Sequence, residues 1–539
     1  MKLKELSGNL VDLFRREIYP STIVISEGRI LSVKREEKRY DQFILPGFVD
    51  AHLHVESSML LPSAFAKVVL PRGTIAVVND PHEIANVLGV AGIEVMMEDG
   101  ASSPLKFYYG IPSCVPATPF DRAGSCLSVK ETEELARSGR FVALSEMMNV
   151  PGVLGKDPAV MAKLEIARRY QLRVDGHAPG LRGEALSQYI AEGVETDHES
   201  VALEEAIEKL KGGLHIFIRE GSASKNYEAL KSVIADYPDR VMFCTDDTHP
   251  DDLLQEGHID KLVRRALADG FDLFDVLRVA SLNPVMFYKL DVGMLRVGDR
   301  ADFIITEDLF SMKIRSTYID GVEVYRLGEE MTTGTREKKR EPLNFFRHDL
   351  ISPKELQLPP RDKVTAIRII PNELITRKEV YSKEERETIP DLLKLVYINR
   401  YTNGPPRVAY IAGVGIKTGA FASCIAHDSH NVIAVGCNDD ELCEAINAII
   451  EQQGGLAVCH NGNTLVLPLP FGGIVSMESA QTVAVKYLEL NREIKAMGSE
   501  LESPFMTLSF MALIVVPALK IGERGLFDVE RFEFITTGE

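Results

Sequence analysis

The segment Pro46-Gly-Phe-Val-Asp-Ala-His52-Leu-His54 sets two imidazoles two residues apart behind an apolar run. Alternate side chains of a strand point to the same side, so His52 and His54 aim at one point. Two converging imidazoles form a pincer for a divalent transition metal. A bare H-x-H pair is equally a pair of surface or capping histidines, so the reading rests on what recurs later. Ala143-Leu-Ser-Glu146 ends an apolar run in a carboxylate able to bridge two ions. Arg173-Val-Asp-Gly-His177 and Glu195-Thr-Asp-His198 end in imidazoles, and Phe243-Cys-Thr-Asp246-Asp247-Thr-His249 carries a pair of acids. Four histidines with Glu146 and Asp246, and no thiolate, suit two divalent ions of the Zn, Mn or Fe(II) kind.

These residues must be brought together by the elements that carry them. Residues 46–290 alternate short Val/Ile/Ala-rich runs (74–79, 140–145, 240–245) with helical patterns at 157–170, 203–211 and 260–268. That length and alternation predict one (β/α)8 TIM-like barrel, in which all strand C-terminal ends share one face. A doubly wound open sheet is the second reading, but no glycine fingerprint follows the first strand. Residues 20–45 and 292–325 are rich in short β runs and turns, which predicts a composite β-sandwich from residues 1–45 and 290–335 flanking a barrel at 46–289. The polar stretch 328–341 reads as a solvated linker. Beyond it, residues 345–539 predict a C-terminal α/β domain with strands near 408 and 432 and a helix over 440–452.

Composition narrows the partners. A chain of 539 residues is too long for one core. Its formal charge of -18 argues against non-specific binding to nucleic acid or an anionic membrane. The N-terminal residues lack a signal-peptide pattern, and the longest apolar run, 505–519, is too short to span a bilayer. Seven cysteines without a C-x-x-C pair predict reduced thiols, hence a cytoplasmic protein, and a homo-oligomer is expected.

The constellation resembles the amidohydrolase superfamily of metal-dependent hydrolases over roughly residues 1–335. More specific strings resemble the bacterial and archaeal adenine deaminase family within it: His52-Leu-His-Val-Glu-Ser-Ser58, Asn79-Asp-Pro-His-Glu-Ile-Ala-Asn86, Met147-Met-Asn-Val-Pro-Gly152, Asp175-Gly-His-Ala-Pro-Gly180, Arg219-Glu-Gly-Ser222 and Thr245-Asp-Asp-Thr-His-Pro250. His427-Asp-Ser-His-Asn431 is similar to that family's extra domain, so the likeness spans nearly the whole chain. It implies His52, His54 and Asp246 around one ion, His177 and His198 around a second, and Glu146 bridging. Many superfamily members bridge with a carboxylated lysine, but no lysine stands near Glu146. The ions implied are Mn(II) or Fe(II). The other nucleobase deaminases pair H-x-E with P-C-x-x-C, and no C-x-x-C stands anywhere in this sequence.

The activity so implied is hydrolytic deamination of adenine to hypoxanthine and ammonia, as in purine salvage. Metal lowers the pKa of bound water to about 7, which supplies a hydroxide to attack C6. Asp246 is the expected proton carrier to the leaving amine, and His82 or Glu83 the expected acid for a ring nitrogen. Arg219, Ser222 and Asp247 are expected at the purine. His427 and His430, three apart with Asp428 between them, either reach across to cap the active site from the C-terminal domain or form a polar turn. Gly413-Val-Gly-Ile-Lys-Thr-Gly419 matches no nucleotide-binding spacing and reads as a turn. Alternatives are an amidohydrolase acting on a cyclic amide or N-acetyl group, and an inactive scaffold relative.

Overall fold

The computed structural model describes residues 3–329, 341–371 and 373–535. Most of the polar stretch read as a linker, residues 330–340, lies outside the described residues.

Four N-terminal strands, β1 (Lys4–Asp12), β2 (Glu17–Ser26), β3 (Arg29–Arg35) and β4 (Phe43–Leu45), precede the barrel. Its eight parallel strands are β5 (Phe48–Leu53), β6 (Thr74–Asn79), β7 (Lys106–Pro112), β8 (Phe141–Met147), β9 (Arg173–Gly176), β10 (Thr196–Asp197), β11 (His215–Arg219) and β12 (Val241–Cys244). β5, β6 and β12 are buried along their whole length, as expected of parallel strands covered by helices. The ring closes at two seams. Glu195 N–H donates to the Val174 carbonyl at 2.9 Å, and Asp246 N–H to the His52 carbonyl at 3.1 Å. This closure excludes the open sheet. Helix Pro158–Tyr170 illustrates how the outer layer starts and stops: Asp157 caps the N–H groups of Ala159 and Val160, and Gln171 ends it in the left-handed region.

The two β-rich pieces join in one seven-stranded sheet through β4 and β13 (Phe303–Thr306), with β14 (Ile314–Ile319) and β15 (Val322–Arg326) beyond. Period-2 alternation divides it: Ile44 and Ile305 face a small private core, while Leu45 and Ile304 belong with Ile314 and Ile319 to the barrel's core. The sheet curls over its private core until Ile30 of β3 meets the chain before β13, accepting from Gly298 N–H at 2.8 Å.

The C-terminal region holds an eight-stranded sheet. The same alternation sorts its strands. Val396, Ala422, Ala434 and Ala457 face helix Asp439–Gln452, and their small size lets that helix approach. Tyr397, Phe421, Ile433 and Val458 face the other way, into a core continuous with the barrel. The antiparallel pair Ala420–Ser423 and Val432–Gly436 is joined by the turn that carries His427, Asp428 and His430. In the glycine-rich turn, Gly413 and Gly415 donate their N–H groups to the Asp391 carboxylate at 2.6 and 2.7 Å, so it cradles its own acid. Among the described residues no helix is long and apolar enough to cross a membrane.

Candidate active site

The barrel's strand C-terminal ends form the floor. Asp50, one turn of alternation before His52, anchors it from beneath. Its carboxylate accepts from His52 N–H and Thr245 N–H at 3.2 Å each, and from the Thr245 hydroxyl at 2.6 Å. His258 Nε2 lies 2.9 Å from the same carboxylate, which ties β5 to β12 under the site. His54 turns Nδ1 to the Asp80 carbonyl at 3.0 Å, leaving Nε2 to face inward.

Glu146 sits at the centre. Its Oε1 lies 2.7 Å from His52 Nε2, 3.3 Å from His54 Nε2 and 3.2 Å from His198 Nε2. Asp246 Oδ1 lies 3.0 Å from His54 Nε2 and 3.6 Å from His52 Nε2. Both central acids hold left-handed backbone, φ 27° at Glu146 and 55° at Asp246. Such strain costs about 1–3 kcal/mol per residue and persists where the surroundings over-determine the position. Burial would push the Glu146 carboxyl up, yet His54, His198 and His52 hold it well below the usual range. Burial acts likewise on Asp246, and Arg219 with His52 and His54 overcomes it. In return the carboxylates raise the His54 and His198 imidazoles against burial. The centre is therefore built to be neutralised by positive charge.

The donor set fits a divalent metal. His52, Glu146, His198 and Asp246 present ligand atoms within one small buried volume, as do His54, His82 and Glu146. Both ring nitrogens of His198 are buried without a hydrogen-bond partner among the described residues, which suits a group reserved for a ligand. His177 stands with His198, the pairing expected for a second ion. Its Nδ1 approaches Glu199 at 3.6 Å, which adds Glu199 to that group. Glu199 was not singled out from sequence. The signal was its place directly after His198 at the end of β10.

Around this floor the cavity is walled by His82, Glu83, Arg219 and Asp247 from the barrel. Leu374, His427, Asp428, Phe510 and Leu513 come from the C-terminal region. Arg219 is fully buried and committed to two acids, donating to Asp246 Oδ2 at 2.7 Å and pairing with Glu199. It orients the floor and also lines the cavity. Asp247 accepts from the Ser57 hydroxyl at 2.5 Å. Ser222, expected at the purine, does not line the cavity. Its hydroxyl donates to Asp252 and accepts from His249 N–H at 2.8 Å, shaping the loop whose Ala223 and Ser224 reach the cavity instead. His82 spans two groups, with Nδ1 3.7 Å from Glu146 and Nε2 4.0 Å from Asp428. Glu83 is clasped across the domain boundary by His427 Nδ1 at 2.6 Å and by His430 Nε2. His427 and His430 thus do reach the site.

A (β/α)8 barrel with imidazoles and carboxylates converging at its strand ends defines a hydrolase of the amidohydrolase class, and residues 43–324 match the amidohydrolase family. Residues 370–533 match the adenine deaminase C-terminal domain. Proteins named adenine deaminase align end to end. The chain is 47% identical to that of Methanosarcina mazei and 45% to that of Methanosarcina barkeri, over 99% of each chain. It is 47% identical to that of Sulfurovum sp., over 98% of this chain and 99% of that one. The chain belongs to the adenine deaminase family of amidohydrolases.

Proposed function

We propose that this protein hydrolyses adenine to hypoxanthine and ammonia at the Glu146 centre. The observation that carries the reading is a full donor set, His52, His54, Glu146, His198 and Asp246, in a chain that matches adenine deaminases over 99% of its length. We assign two divalent ions, Mn(II) or Fe(II), to His52, His54 and Asp246 on one side and His198 with His177 on the other, Glu146 between them. Glu199 joins the second group. The domains we assign are a composite β-sandwich at 1–45 and 290–335, the barrel at 46–289 and the C-terminal domain at 345–539.

The ions would supply a water activated at neutral pH and polarisation of the amidine carbon. The remaining work falls to the chain. One C–O bond forms at C6 of adenine and the C6–N6 bond breaks; one proton of the water leaves with the amine and the other ends on the ring. Asp246, held between His54 and Arg219, carries the first proton to the amine. Glu83 or its neighbour His82 delivers the second to the ring. The apolar side chains Met148, Leu374, Phe510 and Leu513 exclude water from the purine faces. The test is loss of adenine with stoichiometric hypoxanthine and ammonia in the presence of Mn(II). A protein inert to adenine but active on a cyclic amide or an N-acetyl sugar would overturn the reading.

A further inference from the structure

Asp428 enters the cavity from the turn between the C-terminal strands, 4% exposed. Its neighbours in that turn are spoken for. His427 and His430 hold Glu83, Ser429 gives its carbonyl to the Tyr401 hydroxyl at 2.6 Å, and Asn431 caps Arg400 N–H at 3.0 Å. Besides His430 Nδ1, Asp428 is what is left open there among the described residues, and it is the acid of the turn. Its Oδ2 is buried and has no hydrogen-bond partner among the described residues. Leaving a buried carboxylate oxygen unpaired is costly, so a position that does so is reserved for something that donates.

Placement says what donates. His82, whose nitrogens lie nearest Asp80 and Glu83, stands between Asp428 and the Glu146 centre, with Nδ1 on the Glu146 side and Nε2 on the Asp428 side. Asp428 is therefore separated from the carboxylate at which C6 must react by the His82 ring, with gaps of 3.7 and 4.0 Å on its two sides. A purine presented with C6 at that centre extends its five-membered ring away from it, and the free base carries one N–H there. A nucleoside has a glycosidic bond in place of that hydrogen. Leu374, Phe510 and Leu513 complete the wall with groups that can offer the ring no acceptor from their side chains.

We propose that Asp428 accepts the imidazole-ring N–H of the purine and so selects the free base over N9-substituted adenines. This makes the C-terminal domain a specificity element of the site. The inference rests on adenine being the substrate.

The test uses the metal-loaded full chain, with Asp428→Asn (nearly isosteric) and Asp428→Ala, on adenine and 9-methyladenine. Both variants are expected to lose roughly 30-fold in kcat/KM on adenine, mostly through KM, the scale of a buried hydrogen bond to a charged group. On 9-methyladenine the change should stay within about threefold, because that substrate has no N–H to lose. Binding of hypoxanthine by calorimetry should weaken in parallel in the folded variants. Equal losses on the two substrates, or unchanged hypoxanthine affinity, overturn the proposal. Wild-type protein that fails to deaminate adenine counts against the deaminase reading itself, and the two failures are told apart by that control.

Discussion

At the scale of single residues, Asp246 and Ser222 make a contrasting pair only a loop apart. Asp246 Oδ1 faces His54 while Oδ2 takes the Arg219 guanidinium, so one oxygen is oriented and the other is held. Replacing it by Asn keeps the shape and removes the proton acceptor. Asp246→Asn is expected to lower kcat by about 10²–10⁴-fold, the range for loss of a general acid–base group. Metal content, measured alongside, separates that loss from loss of ions. Ser222→Ala removes only the loop bonds to Asp252 and His249, and turnover should stay within about threefold of wild type, with stability lower by ~1 kcal/mol. A larger kcat effect at Ser222 than at Asp246 would reverse the two roles.

At the scale of elements, the cavity depends on how the C-terminal segments are bolted down. Lys520 is completely buried and donates to the carbonyls of Leu374 at 2.6 Å and Phe510 at 3.0 Å, two residues of the cavity wall. Burial pushes its ammonium down from 10.5 to about 7. Between those values the unfolded chain holds a proton that the folded chain lacks, so stability rises with pH across the window and the penalty is full below it. Lys520→Met loses the two bonds at every pH but sheds the penalty. Its stability relative to wild type should therefore be higher at about pH 6 than at about pH 10, as read by thermal melts at both. A pH-independent offset would remove burial as the cause.

Elements were also where the sequence was most readable. The runs at 74–79 and 240–245 became barrel strands because both faces of a covered parallel strand are apolar, and the pattern at 157–170 is a capped helix. His52, His54, Glu146, His198 and Asp246 were legible because strand ends of a barrel must converge. The partners that meet across the domain boundary were not. Nothing in Asp80-Pro-His-Glu83 shows that Glu83 meets His427 and His430, more than 340 residues away. Ser222 stands off the cavity for a local reason: a hydroxyl on a tight loop satisfies neighbouring backbone and carboxylate groups first.

At the scale of the whole molecule, one apolar core runs from Phe65, Ile84 and Val87 in the barrel region to Tyr487, Phe505 and Met511 in the C-terminal domain. Regions sharing a core lose it together, so scanning calorimetry is expected to show one unfolding transition, and two resolved transitions would contradict the shared core. The buried acids Glu146, Asp246 and Glu199 add a dependence on cations. Removing divalent metal with a chelator should lower the midpoint by at least ~5 °C without splitting the transition, and adding Mn(II) should restore it.

The seam between β4 and β13 has a consequence for the growing chain. Ile44 pairs with Ile305, about 260 residues later. Ribosomes add ~5–20 residues per second, so the edge of β4 waits roughly 13–50 s for its partner to emerge. Until then a newborn protein displays an unpaired apolar edge, the template on which strands of other chains add. Yield in the cell is thus expected to be decided by what shelters Phe43–Leu45 during translation, before any metal or substrate is met.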